Sequence, residues 1–94
     1  MSVRWTPKAS KQLETIYDYV ADDSLPAAEK LVEQIYSAIK VLEVHPEAGC
    51  RGRIDGTREL VVTNSPYVVF YRIHRDNAQI LAIIHGARKL PTRI

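Results

Sequence analysis

The chain has 94 residues, 46% of them hydrophobic and 26% charged, and its formal net charge is +2. This length supports a single domain, residues 1–94, and excludes two separate cores. No apolar run approaches the ~20 residues that a membrane-spanning helix needs, and the first residues lack the apolar stretch of a secretory signal. The single cysteine, Cys50, has no partner for an internal disulfide. We therefore expect a reducing compartment, the cytoplasm, and no membrane association.

Acidic and basic residues are distributed unevenly along the chain. Between Glu14 and Glu47 acids outnumber bases, whereas from Arg51 onward bases outnumber acids. This polarity suits an anionic partner for the C-terminal half, either a phosphate backbone or an acidic peptide. A solvated charged face is the simpler explanation of the charge pattern taken alone.

The N-terminal half predicts a short strand followed by two helices. Residues 3–5 form the strand, and Thr6-Pro7 is typical of a helix start, because threonine caps the first turn and proline there costs no backbone donor. We expect this first helix to end near Asp22-Asp23. Its apolar residues recur at helical spacing: Ala9, Leu13, Ile16 and Val20.

A second helix is predicted after Ser24-Leu25-Pro26, and His45-Pro46 ends it, since the residue before a proline is pushed out of the α region. Two amphipathic helices joined by a short turn form a hairpin that needs a partner surface. The apolar face of the second helix carries Ala28, Leu31, Ile35, Ile39 and Leu42.

The C-terminal half predicts a mobile, glycine-punctuated loop over residues 46–56 and then three strands over 58–62, 67–73 and 79–85. Turns at 64–66 and 75–77 make the strands an antiparallel meander. The last strand is apolar on both faces, so we place it centrally. The predicted fold is α+β, with an N-terminal strand, a helical hairpin and a three-stranded antiparallel meander. The helices are expected to cover one face of the meander.

Neither a metal site nor a cofactor is indicated by the sequence. The three histidines, His45, His74 and His85, are far apart, and Cys50 has no neighbouring cysteine. The segment Gly49-Cys50-Arg51-Gly52 lacks the lysine and hydroxyl residue of a phosphate-binding loop. We interpret Cys50 as an ordinary loop thiol and expect no cofactor.

Basic side chains in this half are the candidate functional groups. Arg51 and Arg53 could clamp phosphates through their guanidinium groups, or they could anchor the glycine-rich loop. Arg58 alternates with Leu60 and Val62, so it belongs on the covered sheet face, where an ion pair with a helix carboxylate would also explain it.

Three further candidates lie in or after the last two strands. Arg72 belongs on the face opposite Tyr67 and Tyr71, either in a concave surface or simply in solvent. His85 ends the last strand and could exchange protons near neutral pH, although a hydrogen-bonded core histidine is the commoner role. Arg88 follows at the same end of the strand.

Several short motifs, taken together and in their order along the chain, resemble the RelE/ParE superfamily of type II toxin–antitoxin toxins. The resemblance covers nearly the whole chain. The motifs are Ala27-Ala28, His45-Pro46-Glu47-Ala48-Gly49, Gly56-Thr57-Arg58-Glu59-Leu60, Ser65-Pro66-Tyr67-Val68-Val69-Phe70-Tyr71-Arg72 and Ile84-His85-Gly86-Ala87-Arg88. The resemblance implies a growth-inhibiting toxin of the kind found in plasmid-stabilising modules.

This superfamily contains two mechanisms. RelE-like toxins enter the ribosome and cleave mRNA with basic groups and an acid–base residue, which would assign Arg58, Arg72, His85 and Arg88 to catalysis. ParE-like toxins poison DNA gyrase without cutting RNA. With either target, we expect Arg51, Arg53 and Lys89 to be target-binding residues.

Departures from the RelE pattern favour the ParE-like mechanism. The arginine that RelE carries just after its second sheet strand falls near Thr63 here, and its C-terminal tyrosine falls near Ile94. The RelE-like endonuclease remains the alternative, with the ribosome and mRNA as partners, and His85 could replace the missing acid–base group. A third possibility is a degenerate member that only binds its antitoxin.

The resemblance also implies a cognate antitoxin and therefore a hetero-oligomer. Such a partner would carry an acidic, partly disordered segment that folds as it binds. We expect it to cover the helical hairpin and the flank of the sheet, because both offer apolar stripes beside charge.

Overall fold

The computed structural model describes residues 2–86, which form two helices and five strands. In chain order these are β1 (Ser2–Trp5), α1 (Pro7–Ala21), α2 (Leu25–Val41), β2 (Cys50–Arg51), β3 (Arg58–Val61), β4 (Tyr67–His74) and β5 (Asn77–His85). The α+β class and the order of strand, helical hairpin and meander agree with the prediction.

The helix α1 begins after its predicted cap, and α2 begins within Ser24-Leu25-Pro26 but ends at Val41, earlier than the predicted stop at His45-Pro46. The Thr6 hydroxyl accepts a hydrogen bond from the Ala9 amide at 3.2 Å and donates one to the Ile80 carbonyl at 2.8 Å, so the cap also ties α1 to the sheet. Ser24 caps α2 in the same way, accepting from the Ala27 amide. Neither helix is long and apolar enough to cross a membrane.

Within residues 2–86 the strands form one sheet in the order β1-β5-β4-β3-β2. β1 pairs with β5 in parallel, and the other neighbours are antiparallel. The apolar strand β5 thus lies inside the sheet, as predicted from its two apolar faces. The two-residue strand β2 was not predicted. It adds an edge to β3 within the segment that we had interpreted as a mobile loop.

A register shift in β4–β5 sets which β5 side chains face the helices. Phe70 pairs with Ala82, whereas the next residue, Tyr71, pairs with Ile80, so Leu81 is the extra residue of a β-bulge. Ile80 and Ile83 therefore both face the helices, although three positions separate them.

The main core lies between the helices and one sheet face. It joins α1, α2 and the strands through buried residues that include Leu13, Ile35, Tyr71 and Ile80. The opposite face carries a smaller buried cluster, formed by Val68, Phe70 and Ala82, to which no helix residue contributes within the described chain. We call these the covered face and the open face.

Candidate functional site

The segment between α2 and β3 is attached to the covered face by a buried tyrosine. The Tyr71 hydroxyl donates to the Pro46 carbonyl at 2.8 Å and accepts from the Gly49 amide at 2.9 Å. Burial raises the pKa of Tyr71, so this hydroxyl keeps its proton and its donor role. The segment that we expected to be mobile is therefore held by specific hydrogen bonds.

Its other end is attached to the open face by Arg53. The Arg53 amide and Nε donate to Glu59 Oε2 at 2.8 and 3.0 Å, and Nη2 donates to Oε1 at 2.9 Å. The guanidinium also lies 5.5 Å from the Phe70 ring centroid. The hydrogen bond from Arg53 lowers the pKa of Glu59, and the same bond raises the pKa of Arg53. Of the two roles considered for Arg53, these contacts match loop anchoring.

Close backbone packing explains why residue 52 of this segment is a glycine. The Gly52 amide donates to the Thr57 carbonyl at 2.8 Å. A Cβ at position 52 would overlap the Thr57 hydroxyl and lie 2.8 Å from that carbonyl oxygen. Glycine is thus required where the two sides of the segment meet, and this contact places Arg51 and Arg53 at the edge of the sheet.

Arg51 and Arg58 are neighbours at this edge. They are paired residues of β2 and β3, and therefore lie on the same sheet face. The half-buried Arg58 donates from Nη1 to the Gly49 carbonyl at 2.8 Å, while Arg51 is exposed. Arg58 lies on the covered face, as predicted, but its contact is a backbone carbonyl rather than the helix carboxylate that we considered.

Arg72 lies on the open face, opposite Tyr71, as its position in the alternation predicted. Its Nε donates to Gln79 Oε1 at 2.6 Å. Gln79 is also the register partner of Arg4 on β1, so Arg4, Gln79 and Arg72 are consecutive neighbours across three strands. The sequence analysis did not select Arg4, although Val3 and Trp5 alternate with it and pack against the main core.

His85 lines a groove between α1 and the end of β5. The groove has a volume of about 580 Å³, and its lining residues include Lys8, Lys11, Gln12, Ile16, Tyr67 and Ile83. The His85 and Tyr67 rings meet edge to face, with centroids 5.7 Å apart. This half-buried position matches neither a fully buried core histidine nor a freely solvated one.

The groove exists because β1 is shorter than β5. The last register pair of β1 is Trp5 with Ile80, so the following part of β5 pairs with β4 on one side and has no strand on the other. There the Ile83 amide donates instead to Gln12 Oε1 of α1 at 2.9 Å. The sequence analysis missed Gln12, Lys8 and Lys11, which share one face of α1, since only the packing of α1 on β5 brings that face beside His85.

Among residues 2–86, the structure does not gather the predicted catalytic residues Arg58, Arg72 and His85 into one site. Arg58 pairs with Tyr71 and His85 pairs with Tyr67, four residues away along β4, which corresponds to about 13 Å. Arg72 lies on the opposite face. Arg88, Lys89 and Ile94 lie outside the described residues, and Thr63 is exposed between β3 and β4.

Comparison with known proteins identifies the family. The family model described as "ParE toxin of type II toxin-antitoxin system, parDE" matches residues 3–90. Putative toxin Y4kP of Sinorhizobium fredii (strain NBRC 101917 / NGR234) is 39% identical over 89 residues, covering 95% of this chain and 92% of that protein. Toxin RelE2 of Caulobacter vibrioides (strain ATCC 19089 / CIP 103742 / CB 15) is 36% identical over 88 residues, covering 92% and 96%.

A solved structure shares the fold as well. A chain of the chromosomal ParDE TA system from P. aeruginosa superposes with a TM-score of 0.81 at 33% identity, covering 90% of this chain and 95% of that one. The sequence match extends through both helices and every described strand, and the structural match confirms the α+β architecture. The chain belongs to the ParE family of type II toxin–antitoxin toxins, within the RelE/ParE superfamily.

Proposed function

We propose that this toxin inhibits bacterial growth by poisoning DNA gyrase and does not itself cleave RNA. The main support is the separation of Arg58, Arg72 and His85 over two sheet faces. A positioned proton donor or acceptor contributes ~10²–10⁴-fold to such a cleavage, and it must lie within hydrogen-bond reach of the reacting group. Three residues distributed in this way do not surround one phosphodiester. The likeness to a ParDE structure supports the same mechanism.

The test compares the two possible targets in parallel. Full-length toxin is added to purified gyrase with relaxed plasmid, and separately to translating ribosomes with a defined mRNA. We expect supercoiling to be inhibited and the mRNA to remain intact. Codon-phased cuts that disappear in His85→Ala or Arg88→Ala would instead establish the ribosome-dependent endonuclease. If induced expression does not slow growth, the chain is a degenerate member that only binds antitoxin.

The antitoxin's proposed docking surface is the groove between α1 and β5. Ile16, Tyr67 and Ile83 supply apolar surface, and Lys8 and Lys11 supply positive charge at its rim. Tyr19, which also lines the groove, is 77% exposed and offers a large ring to a partner. An acidic segment with an apolar stripe, folding as it binds, complements these features. The groove lies between α1 and the sheet, within the broader surface, the helical hairpin and the flank of the sheet, that we expect this partner to cover.

Charge reversal tests this surface. Lys8→Glu with Lys11→Glu should weaken antitoxin binding and make neutralisation incomplete in a growth assay. The matched control is Lys30→Glu with Lys40→Glu, which reverses two exposed charges on α2 outside the groove. Equal loss in both pairs would show that net charge rather than the groove matters. Deleting the antitoxin's C-terminal segment should restore toxicity. If the shortened antitoxin still neutralised the toxin, binding through a segment that folds on the toxin surface would be rejected.

A further inference from the structure

Arginines flank a neutral glutamine on the open face of the sheet. Arg4 of β1, Gln79 of β5 and Arg72 of β4 are register neighbours, and we call them the arginine row. Adjacent strands lie about 4.8 Å apart, so the two arginine Cα atoms are separated by about 10 Å. Arg4 and Arg72 are both exposed. Two exposed arginine side chains thus start about 10 Å apart on the same face of the sheet.

Neither arginine is neutralised by the described part of the protein. Among residues 2–86 no carboxylate lies within ion-pair distance of Arg4 or Arg72, whereas Arg53 on the same face is paired with Glu59. The bond from Arg72 Nε to Gln79 orients that guanidinium without using its two terminal nitrogens. Arginine presents these nitrogens as a planar fork that matches phosphate oxygens.

The next residues toward the β4–β5 turn extend the same surface without acidic groups in the strands. Ser2, Asn77 and His74 are register neighbours, two positions from the arginine row on each strand, and therefore lie on the open face. Hydroxyl and amide side chains of this kind, together with arginine, make most of the contacts to nucleic acid backbones. The surface therefore combines positive charge with neutral hydrogen-bonding groups.

Apolar anchoring is absent from the arginine row itself. Phe70, two residues before Arg72 on the same face, is only 1% exposed and is covered in part by Arg53. Protein partners usually bind through large side chains that enter pockets, and a stacked base would need an accessible ring. A buried Phe70 provides neither, so contact here depends on charge and hydrogen bonds.

We propose that the arginine row binds the phosphate backbone of duplex DNA without sequence preference. Successive phosphates of one DNA strand rise by about 3.4 Å along the helix axis and also rotate around it. Two arginines about 10 Å apart can therefore each reach a different phosphate of the same strand. The biological meaning rests on the proposed function, because a gyrase poison acts on an enzyme that holds duplex DNA. The arginine row would contact that DNA while other surfaces of the toxin contact gyrase.

The test is a direct binding measurement without gyrase. Full-length toxin is titrated into a short fluorescent DNA duplex of arbitrary sequence, and anisotropy is followed over a series of salt concentrations. Arg4→Gln with Arg72→Gln should weaken binding about tenfold or more and reduce the salt slope by about 2, since each phosphate contact contributes about one. Each single variant should reduce the slope by about 1, which keeps the test usable if the double variant does not fold.

The charge-matched control is Lys30→Gln with Lys40→Gln, which removes the same charge from α2. It should bind DNA like the wild type, and thermal unfolding should show that every variant folds. Equal weakening in both pairs, or no weakening in the arginine variants, overturns the proposal. Binding of polyglutamate through the arginines in preference to DNA would assign the surface to an acidic protein and also overturn it.

This measurement separates failure of the arginine row from failure of the proposed function. A toxin that binds DNA through Arg4 and Arg72 but leaves supercoiling unchanged supports the DNA contact and rejects gyrase as the target. A toxin that inhibits gyrase while its DNA binding is insensitive to these arginines rejects the DNA contact and retains gyrase.

Discussion

The two faces of the sheet differ in what packs on them. Among residues 2–86, the covered face contributes to a core of twelve buried residues drawn from the helices, the strands and the positions that flank them. The open face has a buried cluster of three, all from β4 and β5. Since apolar burial is the main favourable contribution to folding, most of the stability must come from the covered face. The open face is then free to carry unpaired charge.

The segment between α2 and β3 shows the same contrast on a smaller scale. Tyr71 holds it from the covered face through a fully buried hydroxyl. Arg53 holds it from the open face through an ion pair whose arginine side chain is 46% exposed. A buried hydrogen bond is costly to break, whereas an exposed ion pair is weakened by water and salt. We expect the two anchors to respond differently to mutation and to pH.

Truncating one isoleucine on each face gives the largest expected difference. Ile80 is 0% exposed in the main core, and Ile84 is a partly buried neighbour of the open-face cluster. Ile80→Ala should lower the free energy of unfolding by about 2–5 kcal/mol, and Ile84→Ala by clearly less. Urea unfolding of the two variants measures this directly. Equal losses would contradict the assignment of the core to the covered face.

Removing one hydroxyl tests the buried anchor. Tyr71→Phe leaves the Gly49 amide and the Pro46 carbonyl without their shared partner, which should cost about 1–3 kcal/mol. Faster hydrogen exchange at the Gly49 amide should accompany the loss. Tyr19→Phe is the matched control, because Tyr19 is 77% exposed. A Tyr71→Phe variant as stable as the wild type, with Gly49 still protected, would show that this bond does not hold the segment.

Acidic pH should weaken the exposed anchor, the ion pair of Arg53 with Glu59, and lower the stability by less than Tyr71→Phe does. The hydrogen bond from Arg53 lowers the pKa of Glu59 in the folded state. The pairing of Glu59 with Arg53 therefore stabilises the fold fully above the pKa of an unfolded-state glutamate, about 4.3. This stabilisation is lost as the pH falls through the lower pKa of Glu59 in the folded protein. Glu59→Gln should flatten the loss of stability on acidification, measured by urea unfolding at several pH values. Glu33→Gln, which changes an exposed acid on α2, should show the wild-type dependence of stability on pH. If Glu59→Gln also showed the wild-type dependence, the pairing with Arg53 would be contradicted.

Local sequence signals predicted most of the secondary structure. Thr6-Pro7 and Ser24-Leu25-Pro26 predicted both helix starts, because capping and proline act within one turn. The alternation of β4 predicted that Arg72 and Tyr71 lie on opposite faces. β2 was missed, since two residues in a glycine-rich segment carry no periodic pattern of their own.

The candidate sites were less predictable than the elements. Arg53 was selected for a target role, yet it contacts Glu59 and Phe70, and no local signal distinguishes the two roles. The groove residues Lys8 and Lys11 were missed because they act only together with β5.

By itself, the sequence determined the class of fold, the helix starts, the interior position of β5 and the resemblance to a toxin superfamily, whereas its predicted end of α2 at His45 was wrong, since α2 ends at Val41. All of these depend on propensity, capping and periodicity among residues close in the chain. Only the tertiary structure decided that β1 lies parallel beside β5, that a bulge at Leu81 turns both Ile80 and Ile83 toward the helices, and that Arg4 joins Arg72 through Gln79. These arrangements depend on strand register, between β1 and β5, whose paired residues such as Ser2 and Asn77 are far apart in the chain, and between β4 and β5. Register is set by how the whole hydrophobic face packs.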